Sequence, residues 1–426
     1  MRRLLQPELQ HYFGSFLLQT AMMVGMALIP FFCFQHLGGE TRSAALAYGV
    51  QTLSLGITCF FSAPFVRRWK NGLHGCLVGS VGFGAFYFFA SYARSIAAFC
   101  ILTGIAMCFF GLAWPALQSW LGAQPNEQKR IRSFSWFNVA IGLGLTVGPL
   151  VEGALYRLSV RAAFAAVFLF SVLAAVLLFT LPQESAYFSR RVAAPKGPQL
   201  AAGSEESFSI NPSRLNETFL YCGWLTNMLG WGLTGAVRTV YPGRISELVQ
   251  RSQLVFAFAG APSRAFTAPG TTAATLYSEM QAMLSLGYFV AILVLGRSLR
   301  WQRRIWFLLA SEAVLGWSIW TLARSRSLLV ILSCHAVLGM FTAFGYLGSQ
   351  TYSASNYALK HRRIAIQEGL SQSSGFVLPL LFAQCATFYG AAWPFSYVWL
   401  LIAVFAAAQL LSIRFATRKT ESVAAY

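Results

Sequence analysis

Six ionisable residues lie inside or at the ends of long apolar runs: Glu152, Arg238, Glu279, Glu312, His335 and Glu368. Placing such a group in hydrocarbon costs about 2.5–3.5 kcal/mol, so the first reading of each is functional: ion pairing, gating or proton transfer. Glu152 closes the stretch Gly144-Leu145-Thr146-Val147-Gly148-Pro149-Leu150-Val151-Glu152-Gly153. It lies about 18 residues, roughly 27 Å, along its run. That puts it near the far membrane boundary, where it either gates or reaches headgroups and Arg157. Arg238 ends one run and Glu279 begins the next, so the two can pair and latch a gate. Glu312 has Arg304 as its nearest local partner, and Glu368 has Arg362 and Arg363. His335 is either a proton-handling histidine or, the favoured reading, a hydrogen-bonded packing residue.

The elements that must position these groups follow from composition. The 426 residues are 56% hydrophobic and only 11% charged, against about 25% charged in soluble domains. Lipid is therefore the main solvent. All 13 acidic residues are Glu, and 27 of the 32 basic residues are Arg. A formal charge of +19 in a soluble chain would suggest nucleic acid. Here the basic residues fill the gaps between apolar runs, where they set orientation and meet anionic headgroups; no nucleic-acid partner is expected. The eight cysteines sit within apolar runs and form no Cys-x-x-Cys pair, so neither a disulfide framework nor a metal site is expected. There is no phosphate loop, Gly-x-Ser-x-Gly or His-Glu-x-x-His, and the chain reads as neither an enzyme nor a cofactor binder.

A membrane-crossing helix needs about 20 apolar residues, and twelve such runs occur. They predict an all-α membrane protein of 12 transmembrane helices in two pseudo-symmetric six-helix bundles, residues 1–182 and 217–426. The Pro- and Ser-containing stretch 183–216 reads as a cytoplasmic linker. About two thirds of the Lys and Arg residues fall on the side of the N-terminus, which places both termini in the cytoplasm by the positive-inside rule. The halves repeat: Arg67 and Arg68 recur as Arg297 and Arg300, and Arg132, Gly144 and Pro149 recur as Arg363, Gly375 and Pro379, at an offset of about 230 residues. The spacing predicts an outer insertion near 244–274, with Ile245 to Phe258 either a surface helix or a loop.

This organisation resembles the major facilitator superfamily of secondary transporters over essentially the whole chain. The Gly144–Gly153 stretch is similar to that superfamily's fifth-span exporter motif, Gly-x-x-x-Gly-Pro-x-x-Gly-Gly, with Glu152 replacing one Gly. The resemblance implies a gating helix packed across the two halves, through Gly148 and Pro149. The loop Ser62-Ala63-Pro64-Phe65-Val66-Arg67-Arg68 is similar to the superfamily's inner-loop signature but lacks its Gly and Asp, so the usual charge latch is in doubt. Cys100 stands where proton-coupled exporters often carry Arg. The resemblance also implies that helices one, four, seven and ten line a central cavity, with Gln19, Trp114, Trp224, Asn227, Trp231, His335 and Tyr346 as candidate lining residues. It implies a monomer in a bacterial-type inner membrane that moves a small solute by alternating access, coupled to H+ or to another ion. Export is slightly favoured over uptake. A non-transporting membrane sensor and a lipid-handling protein on the same scaffold are the readings from other classes.

Overall fold

A computed structural model of the chain describes residues 7–68, 73–122, 127–181, 212–251, 253–254, 269–295, 304–354 and 360–424. The described residues fold into thirteen helices: α1 (Pro7–Gln35), α2 (Thr41–Arg68), α3 (Leu73–Ala90), α4 (Ile96–Gly122), α5 (Glu127–Leu158), α6 (Val160–Phe179), α7 (Pro212–Gln250), α8 (Pro269–Leu295), α9 (Ile305–Arg324), α10 (Leu328–Ala354), α11 (Lys360–Tyr389), α12 (Trp393–Ser396) and α13 (Val398–Ala424). In hydrocarbon a helix satisfies its own backbone polar groups, which is why apolar runs of this length adopt no other form. Eight helical segments are long and apolar enough to cross a membrane, and two shorter ones, His74–Ala90 and Val398–Arg414, are also apolar. The chain is an integral multi-pass membrane protein. The helices α7 and α11 occupy the places of the seventh and eleventh runs and carry more polar residues.

Packing divides the helices into two bundles. In the first, α1 packs on α5 and α6, α3 on α4 and α6, and α2 on α4. In the second, α7 packs on α10 and α11, α8 on α10, and α13 on α7. Two seams join the bundles, α5 against α8 and α2 against α11. Leu169, Leu173 and Val176 on α6, and Leu400, Val404 and Leu411 on α13, are exposed apolar side chains. Their helical spacing makes them lipid-facing stripes.

One local feature differs from the sequence expectation. The seventh run does not end at Arg238: α7 continues through Pro242 to Gln250 as one helix, so Ile245 to Gln250 belong to it and not to a separate surface helix. Proline within a membrane helix is tolerated where neighbours re-satisfy the backbone, and the Arg238 carbonyl that Pro242 leaves without its helical donor accepts from Tyr277 Oη at 2.8 Å. The rest of the expected insertion, apart from residues 251, 253 and 254 and the start of α8, lies outside the described residues, as does nearly all of the linker 183–216.

Candidate functional site

The α5–α8 seam is polar at one end. Glu152 on α5 is 1% exposed, and its Oε2 accepts a hydrogen bond from Ser278 Oγ on α8. Its other oxygen, Oε1, has no hydrogen-bond partner. One turn further along, Arg157 Nε donates to Thr275 Oγ1 at 3.0 Å across the same seam. Thr275 and Ser278 are three residues apart and share a helix face.

That face of α8 continues inward as Ser278, Gln281, Ser285 and Tyr288, all buried and spaced to form one stripe. Gln281 Oε1 accepts from Arg238 Nε at 3.0 Å, and Tyr277 Oη donates to Arg238 O at 2.8 Å. Arg238 is 4% exposed. Tyr288 stands beside Trp231 and Tyr346, with ring centroids 6.1–6.3 Å apart. The Tyr346 hydroxyl donates to Glu368 on α11 and accepts from Gln350 Nε2 at 2.6 Å. Asn227 Nδ2 donates to Ser371 Oγ at 2.5 Å. Buried polar atoms without a partner cluster on these elements: Asn227 Oδ1, Trp231 Nε1, Gln281 Nε2, Ser285 Oγ and Glu368 Oε1. Unpaired buried polar groups are costly.

A cavity of about 570 Å³ lies beyond the stripe, between the ends of α1, α7, α8 and α11. Its lining includes Phe31, Gln35, Glu40, Glu247 and Ala273. Phe31 packs on Tyr277 at 5.6 Å between ring centroids, so an aromatic contact separates this vestibule from Arg238.

The sequence profile of the Major Facilitator Superfamily matches residues 12–269. The chain belongs to this superfamily. Its fold is that of solved transporters. A peptide transporter of the POT family in complex with sulfate superposes with a TM-score of 0.71 at 13% identity, covering 96% of this chain and 95% of that one. A POT family transporter in complex with 5-aminolevulinic acid gives 0.71 at 11% identity and 96% of each chain. The nucleoside transporter NupG gives 0.66 at 12% identity, over 96% of this chain and 99% of that one. No curated protein is significantly similar in sequence. Family and fold point to a transporter rather than an enzyme.

Within this superfamily member, the fifth-helix motif divides its work between two faces. A Cβ on Gly144 would lie 2.8 Å from Phe16 O, and one on Gly148 would lie 2.5 Å from Met23 Cβ. Both glycines therefore let α5 approach α1 inside its own bundle, and not the opposite half as the resemblance implied. Pro149 is an interior residue of the same helix. The seam is formed instead by Gly142 against Phe289, Gly153 against Ser278, and Glu152.

The candidate lining residues separate similarly. Asn227, Trp231 and Tyr346 come together around the α8 stripe. Gln19 meets Gly144 at the α1–α5 contact. Trp114 stacks on Phe110 with centroids 5.6 Å apart. Trp224 Nε1 donates to Ser353 Oγ at 2.9 Å. His335 is fully buried, with Nδ1 2.8 Å from Ile331 O and its ring against Tyr241, a packing arrangement. Arg238 meets Gln281 and not Glu279; Glu279 is exposed and its charged neighbour is Arg157. Glu312 meets Thr226 Oγ1 at 2.9 Å and Gln409 Nε2, in place of Arg304. The side chains of Arg67, Arg68, Arg297 and Arg300 lie outside the described residues. Sequence reading missed Ser278, Gln281, Ser285 and Tyr288. Their spacing along an otherwise apolar eighth run was the available signal.

Proposed function

We propose that the protein is a secondary active transporter that carries a small solute across a bacterial-type inner membrane by alternating access. Its two bundles rock about the central cleft. The observation that carries this reading is the Glu152–Ser278 hydrogen bond, a buried carboxyl closing a contact between the two halves. Parting the α5–α8 seam would break that bond and bring water to the carboxyl, where it exchanges a proton. Glu152 then couples H+ movement to gating, and the Arg157–Thr275 hydrogen bond closes the same seam. The protein acts as a monomer with both termini in the cytoplasm, among anionic lipids that meet its basic loops. Gly144 and Gly148 serve the α1 contact, so the motif that favoured export has a structural explanation, and direction remains for the flux measurement.

The test is reconstitution into proteoliposomes holding a pH-reporting dye, with solutes added singly under an imposed proton gradient. The expected result is solute-dependent proton movement that Glu152→Gln reduces by at least about tenfold, with folding preserved. Unchanged movement in that variant would overturn the coupling role.

A further inference from the structure

Among the described residues, two ionisable groups face the stripe on α8, one at each end, with no ion-pair partner. Among the described residues, the Arg238 side chain hydrogen-bonds only the neutral Gln281. Among the described residues, Glu368 hydrogen-bonds the hydroxyl of Tyr346 and its Oε1 has no hydrogen-bond partner. A buried charge without a partner is strongly unfavourable. Two groups of opposite sign along one polar stripe are best neutralised by a ligand that carries both complements.

Their spacing follows from the helices. Arg238 and Trp231 are seven residues apart on α7, and Gln281 and Tyr288 are seven apart on α8. The two helices run in opposite directions, so Arg238 and Gln281 share one level and Trp231 and Tyr288 share another. Two turns, about 10 Å, separate the levels. Glu368 joins the second level through Tyr346 and lies within electrostatic range of Tyr288. Three clustered aromatic rings with a carboxyl group beside the Tyr346 hydroxyl form a corner suited to an ammonium, by cation–π attraction and a charge-assisted hydrogen bond. A guanidinium with a side-chain amide beside it suits a carboxylate. Ser285 lies between the levels with its hydroxyl free.

We propose that this polar stripe, opened as the two halves part, binds a small zwitterion, its amine against Glu368, Trp231, Tyr288 and Tyr346 and its carboxylate against Arg238 and Gln281. This rests on the transporter reading and gives it a substrate class: unbranched ω-amino carboxylates and other molecules whose two charges stand several bonds apart.

The experiment measures binding of 5-aminopentanoate, pentylamine and pentanoate to the purified full-length protein through its thermal unfolding midpoint. 5-Aminopentanoate binds at least about tenfold more tightly than either single-charge compound. Arg238→Gln lowers the affinity for 5-aminopentanoate to that for pentylamine and leaves pentylamine unchanged. Glu368→Gln lowers it to that for pentanoate and leaves pentanoate unchanged, so retained binding shows that each variant is folded. Equal affinity for all three compounds, absence of binding, or variants that leave the preference intact would overturn the proposal. Proteoliposome flux separates the two readings: flux of a solute lacking either charge contradicts the zwitterion alone, whereas no flux for any solute contradicts transport itself.

Discussion

Ser278 on α8 donates its hydroxyl proton to Glu152 on α5, and the two residues belong to different halves of the protein. Ser278 also donates to Ala274 O at 2.9 Å, so its single proton is shared between an intrahelical acceptor and one across the seam. Rocking the bundles apart lets the hydroxyl fall back wholly on Ala274 without becoming unpaired. The serine can therefore make and release the contact at little cost to α8.

Ser278→Ala leaves the Glu152 carboxyl buried with no donor. Such a loss costs about 1–3 kcal/mol, so the midpoint of unfolding in detergent falls. Ser278→Thr keeps the hydroxyl and stays close to the parent. Equal midpoints for all three proteins would show that the seam bond contributes nothing.

Helices α8 and α10 approach more closely than any added methyl group allows. A Cβ on Gly287 would lie 1.9 Å from Ala336 O, and one on Gly339 would lie 1.7 Å from Leu284 O. Backbone atoms cannot move aside as a side-chain tip can, so Gly287→Ala and Gly339→Ala destabilise by about 1–3 kcal/mol. At Gly38, with φ +62° and open space around it, alanine meets only backbone strain of about 1 kcal/mol. Unfolding midpoints ordered the other way would contradict this packing.

Glu312 ties three helices of the second bundle. Its Oε1 accepts from Thr226 on α7 and Gln409 on α13, so Glu312→Ala removes both bonds, each worth about 0.5–1.5 kcal/mol, and leaves Thr226 to Cys222 O and Gln409 to Thr226 Oγ1. Glu312→Gln keeps an acceptor oxygen and loses less. Solute flux per folded molecule is unchanged in Glu312→Gln; a flux defect with normal stability would give this carboxyl a transport role.

The fold was largely legible because apolar runs long enough to span a bilayer have one structural outcome, and the Arg132/Arg363 and Pro149/Pro379 repeats marked the two halves. The site was legible only in part. Glu152 stood out because a charge is conspicuous among Gly, Leu and Val. Ser278, Gln281 and Ser285 did not, because uncharged polar residues are ordinary in membrane helices and their role depends on a partner helix distant in sequence. Arg238 and Glu279 looked like a pair because both flank one loop. The continuation of α7 past Pro242 carries Arg238 into the interior, where Gln281, and not the exposed Glu279, is in reach.

Orientation rests on the distribution of Lys and Arg. A reporter active only in the cytoplasm, fused after Tyr426, is expected to be active. An inactive fusion, with a periplasm-specific reporter active at the same point, would invert every assignment of side.

The measurement closest to the central account asks whether the halves must part along α5 and α8. A Cβ on Gly142 lies 3.1 Å from Phe289 Cβ, near the 3.5–4.5 Å typical of a disulfide. In a background with the native cysteines replaced, Gly142→Cys with Phe289→Cys can be oxidised in proteoliposomes and solute flux compared before and after reduction. The account predicts that oxidation lowers flux by at least about tenfold and that reductant restores it. Full flux through protein shown by mass spectrometry to be crosslinked would contradict it.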